Sequence, residues 1–330
     1  MSDPLKEEEI RPQALFAEYM RLAQRDAETY FPQAGRVAIR CPACGGDGGH
    51  AFEKNGFGYD ECPRCESLYV SPRPAAERFV RYYTDSPSSK FWATTFYRET
   101  AGARRERLWK PKAQLVRSLL RAQGFECPTV YDIGGGYGIF AEEMRLLGLP
   151  TIVIEPAPHL AAICRENGLS TIEKFLENLD RGDLESSPKA MVSFELFEHL
   201  HDPRAFLEKV HALLAPGEIF IFTTLSGTGV DIRALWKDSK SVTPPYHLNF
   251  LNPASVRMLV DSVGLQTIEV TTPGKLDIDI LENNAASIKD RFWRTFIHMA
   301  SDRDKAECQA FIARSGWSSH MMVACRKPAL

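Results

Sequence analysis

The stretch TVYDIGGGYGIFAEEMRLLG, residues 129–148, decides the fold. Its opening residues suit a short buried strand, and residues 139–147 repeat apolar positions at helical spacing. Between the two lies Asp132-Ile133-Gly134-Gly135-Gly136-Tyr137-Gly138. A glycine turn from strand to helix lets the backbone approach a ligand closely, with helix N–H groups facing it. Glu155 ends the next apolar run, TIVIEP, 23 residues after Asp132. A carboxylate at that place accepts hydrogen bonds from ribose hydroxyls. A dinucleotide fingerprint wants Gly or Ala where Ile139 stands, so the turn does not match one.

Working outward, AMVSFE and EIFIFTT are further β-rich runs. FAEEMRLLG, HLAAICRENG and DPRAFLEKVHALLAPG lie between the strands as helical patterns. The alternation predicts an α/β fold, a doubly wound parallel sheet with helices on both faces. Two more strand candidates, 265–272 and 319–327, flank a helix-rich insertion at about 274–317. Upstream, residues 8–30 read as an amphipathic helix ended by Pro32 and Gly35. Residues 76–126 mix aromatic side chains with eleven Lys and Arg against five Asp and Glu, a local net of +6. That segment is either a solvated helical face over an aromatic core or a cap that meets an anionic ligand. The expected layout is an N-terminal helix over 1–35, a ribbon over 36–75, a helical cap and linker over 76–127, and the α/β domain over 128–330.

The ribbon is named for CPACGGDGGHAFEKNGFGYDECPRCE, residues 41–66. Cys41 and Cys44 form one Cys-Pro-x-Cys pair, Cys62 and Cys65 a second. Two such knuckles converge on one tetrahedral Zn2+ through four thiolates, so a structural zinc is expected. A redox motif would want a single pair at a strand-to-helix junction. Residues 36–73 carry five basic and five acidic side chains. Nucleic-acid binding calls for a basic excess, so no nucleic-acid partner is expected. The whole chain, at net charge -3, is no polyanion binder either. The start, MSDPLKEEEI, lacks an apolar signal region, and no run of about 18 apolar residues occurs. A cytoplasmic protein with no membrane span is expected, where thiols stay reduced and disulfides are disfavoured.

The D-x-G-x-G-x-G pattern of Asp132 to Gly138 resembles motif I of class I S-adenosylmethionine (SAM) methyltransferases. FELFEHLHDP and LAPG are similar to that family's E-H-x-x-x-P element and its L-x-P-G turn. YHLNFLNPASVRMLVDSVGL is similar to its following segment. The paired C-x-x-C followed by SPRP resembles a subgroup, sugar and polysaccharide methyltransferases among them, in which a zinc ribbon and a helical segment precede the catalytic fold. The resemblance covers roughly residues 41–330. It implies a Rossmann-like, seven-stranded sheet, SAM as cofactor, and a small-molecule or sugar-nucleotide substrate. The expected assembly is a monomer or homodimer.

The resemblance also implies roles. Asp132, Gly134, Gly135, Gly136, Gly138 and Glu155 would hold SAM, Phe194 and Glu195 would flank it, and Phe175, in the loop KFLEN, would border adenine. Methyl transfer to a hydroxyl needs positioning and a base for the leaving proton. Candidates belong at the carboxyl ends of the strands, where an open α/β sheet places its crevice. Glu198 and His199 are an acid-base pair or helix-capping groups. Tyr246 and His247, after Pro244 and Pro245, are acceptor-site residues or loop anchors. Zinc-ribbon sugar C-methyltransferases carry Tyr-His-Glu-His at this place, whereas Tyr246-His247-Leu248-Asn249 has Asn at the second His position. The departure favours O-methylation. A carbohydrate is the expected acceptor, with a polyketide- or quinone-type metabolite as the alternative and an RNA-methylating ribbon enzyme behind both. A metal held by His199 and His201 is a lesser alternative, because i, i+2 spacing is awkward on a helix.

Overall fold

The structure, a computed structural model, describes residues 5–184 and 189–329. The ribbon supplies β1 (Gly49–Lys54), β2 (Phe57–Glu61) and β3 (Leu68–Val70). The α/β part supplies β4 (Thr129–Ile133), β5 (Thr151–Ile154), β6 (Ser170–Ile172), β7 (Lys189–Ser193), β8 (Ile219–Leu225), β9 (Asn249–Phe250), β10 (Gln266–Thr271) and β11 (His320–Arg326). The larger sheet has seven strands in the order β10-β11-β8-β7-β4-β5-β6. Strands β4 to β8 pair parallel, while β11 is antiparallel to both β8 and β10. This is the doubly wound α/β architecture that the strand-helix alternation predicts. Every residue of β8 is buried, as befits a strand covered on both faces.

The second sheet, β1-β2-β3-β9, joins distant parts of the chain. Leu68 pairs with Phe250 and Tyr69 with Asn249, so a strand from the segment between β8 and β10 completes the ribbon. One core carries this junction. Phe16, Tyr19, Tyr59, Tyr82, Phe96 and Leu248 are among its members, drawn from the N-terminal helix, the ribbon, the cap and the 242–250 loop.

The N-terminal segment departs from a single helix over 8–30. It forms Glu7–Ile10 and then Gln13–Tyr30, because Pro12 has no N–H to continue the ladder and instead precedes a new first turn. The cap is helical throughout 87–122, with π-helical turns at Trp92–Phe96 and Arg105–Trp109. The insertion folds as helices Asp277–Asn283, Arg291–Met299 and Asp302–Arg314. Among the described residues, no helix is long and apolar enough to cross a membrane.

Candidate active site and metal centre

The glycine turn leaves β4 at its carboxyl end. Gly134, Gly136 and Gly138 take φ of 70°, 57° and 74°, a region that side chains disfavour. A Cβ on Gly138 would lie 2.4 Å from Leu169, and one on Gly135 would lie 2.8 Å from the Asp132 carboxylate. Over Gly136 a Cβ would meet nothing within 4 Å, so that face of the turn is open to a ligand. Glu155 closes the other side. Its two oxygens accept from the Gly136 N–H and the Ala157 N–H, each at 2.9 Å, so it braces the turn as well as offering lone pairs outward. Burial, with the Glu155 charge adding to it, pushes Asp132 up to about 7. Its Oδ2 finds no partner among the described residues. An open glycine turn with a carboxylate at the next strand end fits the nucleoside and amino-acid parts of SAM. Phe175 is half exposed just past β6, where a purine ring would find an apolar edge.

Phe194 and Glu195 follow β7. The Phe194 ring is buried edge-on against Phe140 at 4.6 Å, which leaves its backbone to face the crevice. Glu195 has φ of 55°, an uncommon conformation for a residue with a side chain. Its carboxylate pairs with Lys112 at 3.0 Å and lies 3.9 Å from His320. Desolvation opposes its charge, but Lys112, His320 and Arg104 outweigh it and hold the carboxyl below the usual carboxylate range. Lys112 in turn sits 4.5 Å from the Trp109 ring centre. Lys112 and His320 were missed in sequence. Lys112 belongs to the basic cap, but nothing local ties it to a residue 83 positions away.

The candidate catalytic groups do meet. One ligand-type atom each from Glu198, His199 and His247 lies within 4.8 Å of the others, and the two imidazole centres are 4.8 Å apart. His247 Nδ1–H donates to the Ser241 carbonyl, so its Nε2 keeps the lone pair. Burial lowers His247 to about 4, and burial with the nearby His247 lowers His199 to about 3. Burial and the Glu195 charge push Glu198 up to about 8, and its Oε2 has no partner among the described residues. Near neutral pH the site thus holds two uncharged imidazoles beside a protonated carboxyl. Tyr246 is buried next to them, its ring 5.2 Å from Tyr19 and 6.2 Å from His199, and its hydroxyl bonds Ser88 and Ser89. Tyr83 brings its hydroxyl to 3.5 Å from His199 Nδ1.

His201 is not part of this group. Its Nε2 engages the Pro74 carbonyl at 2.9 Å, which ties the segment to the end of the ribbon. Asn249 is equally structural: its amide donates to Leu200 and its oxygen accepts from Arg73.

In the ribbon, Cys41 Sγ lies 3.5 Å from Cys65 Sγ, and Cys44 Sγ lies 3.5 Å from Cys62 Sγ. All four sulfurs fall within 4.8 Å of one another. A tetrahedral zinc with bonds of about 2.3 Å needs sulfur edges of about 3.8 Å. The two knuckles share one backbone pattern, with Gly45 N–H to Cys41 and Glu66 N–H to Cys62, both donors at positive φ. The donor set and its spacing fit Zn2+. The ribbon also holds the loop that carries His247. The Tyr59 hydroxyl donates to the His247 carbonyl at 2.8 Å, and Arg73 donates to the carbonyls of His201 and Leu248.

A family model described as a methyltransferase domain matches residues 96–270. Among curated proteins, the ubiquinone biosynthesis O-methyltransferase of Xanthomonas axonopodis pv. citri is 24% identical over 153 residues, 43% of this chain and 64% of the relative. That of Vibrio atlanticus is 26% identical over 165 residues, 46% of this chain and 69% of the relative. The chain thus spans just under two thirds of the first of these. Among solved structures, the 1,6-didemethyltoxoflavin-N1-methyltransferase of Burkholderia thailandensis covers 84% of this chain and 99% of its own at 11% identity and a TM-score of 0.49. Magnesium protoporphyrin IX methyltransferase from Synechocystis covers 76% and 99% at 11% identity and a TM-score of 0.47.

Proposed function

The chain belongs to the methyltransferase-domain family, and from that premise we propose that it is a SAM-dependent O-methyltransferase of a small acceptor with an aromatic or quinone-type ring. Asp132, the glycine turn of Gly134 to Gly138, Glu155 and the Phe175 edge hold the cofactor. SAM supplies a methyl group on a sulfonium, which leaves as a neutral thioether when the acceptor oxygen attacks in line. The protein's task is to place that oxygen and to take its proton.

The observation that carries this reading is the convergence of His199 and His247, ring centres 4.8 Å apart, beside Glu198, where burial favours uncharged imidazoles. His247 Nε2 takes the hydroxyl proton, because its Nδ1–H is committed to Ser241. Protonated Glu198 donates a hydrogen bond rather than competing for the proton. Tyr83 orients His199. The rings of Tyr19, Trp92, Tyr83 and Tyr246 form the aromatic wall beside these groups, which suits a flat acceptor. The curated relatives are named for O-methylation in ubiquinone biosynthesis, which agrees with such an acceptor. Cys41, Cys44, Cys62 and Cys65 hold a structural Zn2+ that fixes the ribbon under the His247 loop.

A carbohydrate hydroxyl is the second reading, favoured by a ribbon seated against the acceptor loop as in the subgroup that the sequence resembles. Labelled SAM with a panel of catechols, hydroquinones and nucleotide sugars tests both. Transfer to a phenolic oxygen that His247→Ala slows about 100- to 1000-fold, with SAM affinity kept, supports the first reading. Transfer confined to nucleotide sugars supports the second, and transfer to nothing but RNA rejects both.

A further inference from the structure

The cap places a buried cation that makes no direct ion pair among the described residues, although the more distant Glu195 charge acts on it. Arg104 is 8% exposed. Its Nε donates to the Thr100 hydroxyl at 3.0 Å and its Nη2 to the Ile10 carbonyl at 3.1 Å, both neutral acceptors. Among the described residues no carboxylate lies within salt-bridge distance of it, and its Nη1 has no hydrogen bond. Glu195, whose charge acts on Arg104, is paired with Lys112, and Glu142 and Glu143 are paired with the neighbouring Arg105. A desolvated guanidinium without an anion is costly, and proteins keep one where a ligand completes the pair.

Its surroundings say which ligand. The guanidinium carbon lies 5.5 Å from the Trp92 ring, 5.8 Å from Phe96 and 5.3 Å from Tyr97. Trp92 and Phe96 pack on Tyr19, and Tyr19 on Tyr246, in the aromatic core that borders the His199–His247 group. Arg11, 5.5 Å from the Phe16 ring and 3.4 Å from Glu7, is a second cation on this side, and its charge reaches Arg104, Tyr19 and His247. Arg104 also stands between the two π-helical turns, and wide turns of this kind recur at functional sites.

Resting on the methyltransferase reading, we propose that the acceptor is an anion, a carboxylate or a phosphate ester, and that Arg104 with Arg11 binds its charged group while the hydroxyl faces His247. The planar guanidinium would donate to either group from its Nη1 side, which Thr100 and Ile10 leave free. The proposal predicts selectivity between acceptors that are alike except for charge.

The test needs no turnover. The full chain loaded with S-adenosylhomocysteine is titrated by calorimetry with benzoate and with inorganic pyrophosphate, as wild type, R104Q, R104K and R11Q. The expected result is binding of at least one probe with a Kd of about 1 mM or tighter, weakened about 10- to 100-fold in R104Q. R104K and R11Q should fall between. S-Adenosylhomocysteine affinity should change far less than probe affinity, as Arg104 reaches the cofactor site only through its charge acting on Glu195. Neither probe binding wild type overturns the proposal, as does unchanged binding in R104Q. Loss of S-adenosylhomocysteine affinity in R104Q also overturns it, since the guanidinium would then serve the cofactor. If R104Q does not fold, R104K and R11Q decide by the same criterion. Failure of wild type to bind S-adenosylhomocysteine at all would instead count against the methyltransferase reading.

Discussion

In the proposed reaction, protonation at two side chains, His247 and Glu198, sets the pH dependence. His247 must be uncharged to take a proton, so activity is present above its depressed value of about 4. Glu198 must keep its proton to donate, so activity falls as pH rises through about 8. The kcat/KM profile is therefore expected to be flat between these limits. In Glu198→Gln the alkaline limb should vanish while the acid limb stays, because the amide is a permanent donor. An alkaline limb unchanged by that substitution would remove Glu198 from this role. At the glycine turn, Gly136→Arg forces a side chain into φ of 57° and over the open face. SAM affinity measured by calorimetry should fall more than about tenfold, with little change in the melting temperature. Motif residues such as these were legible because their chemistry is local. Their partners were not. Nothing in the sequence places Lys112 on Glu195, because that contact is made only when the cap folds over the sheet.

The elements around the site act as clamps. Arg73 is buried and donates to Val70, His201, Leu248 and Asn249, which ties the segment after β7 to the start of β9. Replacement by Met leaves several buried oxygens without a donor, a cost of about 2–4 kcal/mol. Arg73→Met should therefore lower the melting temperature and reduce kcat far more than it raises KM for SAM. A loss confined to the SAM KM would contradict the clamp. Sequence periodicity revealed the strands of the main sheet and the insertion helices, since each obeys a regular repeat. It did not reveal the π-helical turns, where one extra residue per turn is accommodated by packing of Trp92, Phe96 and Trp109. Nor did it reveal β9, whose two residues are too short to carry a pattern.

For the whole molecule, the ribbon and the α/β fold share one core and one sheet, so a zinc held by the four cysteines would be coupled to catalysis. Stripping metal with a strong chelator should release Tyr59 and Arg73 from the His247 loop. Turnover is expected to fall with zinc content and to return on adding Zn2+, while S-adenosylhomocysteine binding persists. Turnover that survives complete zinc loss would break that link. The architecture was largely readable from the chain because strand-helix alternation over 128–330 admits few alternatives. The shared core was not, because it is built from pairings far apart in sequence. The Leu68–Phe250 pairing has a further consequence during synthesis. At ribosomal speed, β3 emerges on the order of 10–40 s before the strand that covers it. A nascent ribbon therefore carries a bare, apolar edge for that interval, and early metal loading would be its protection against joining a neighbouring chain.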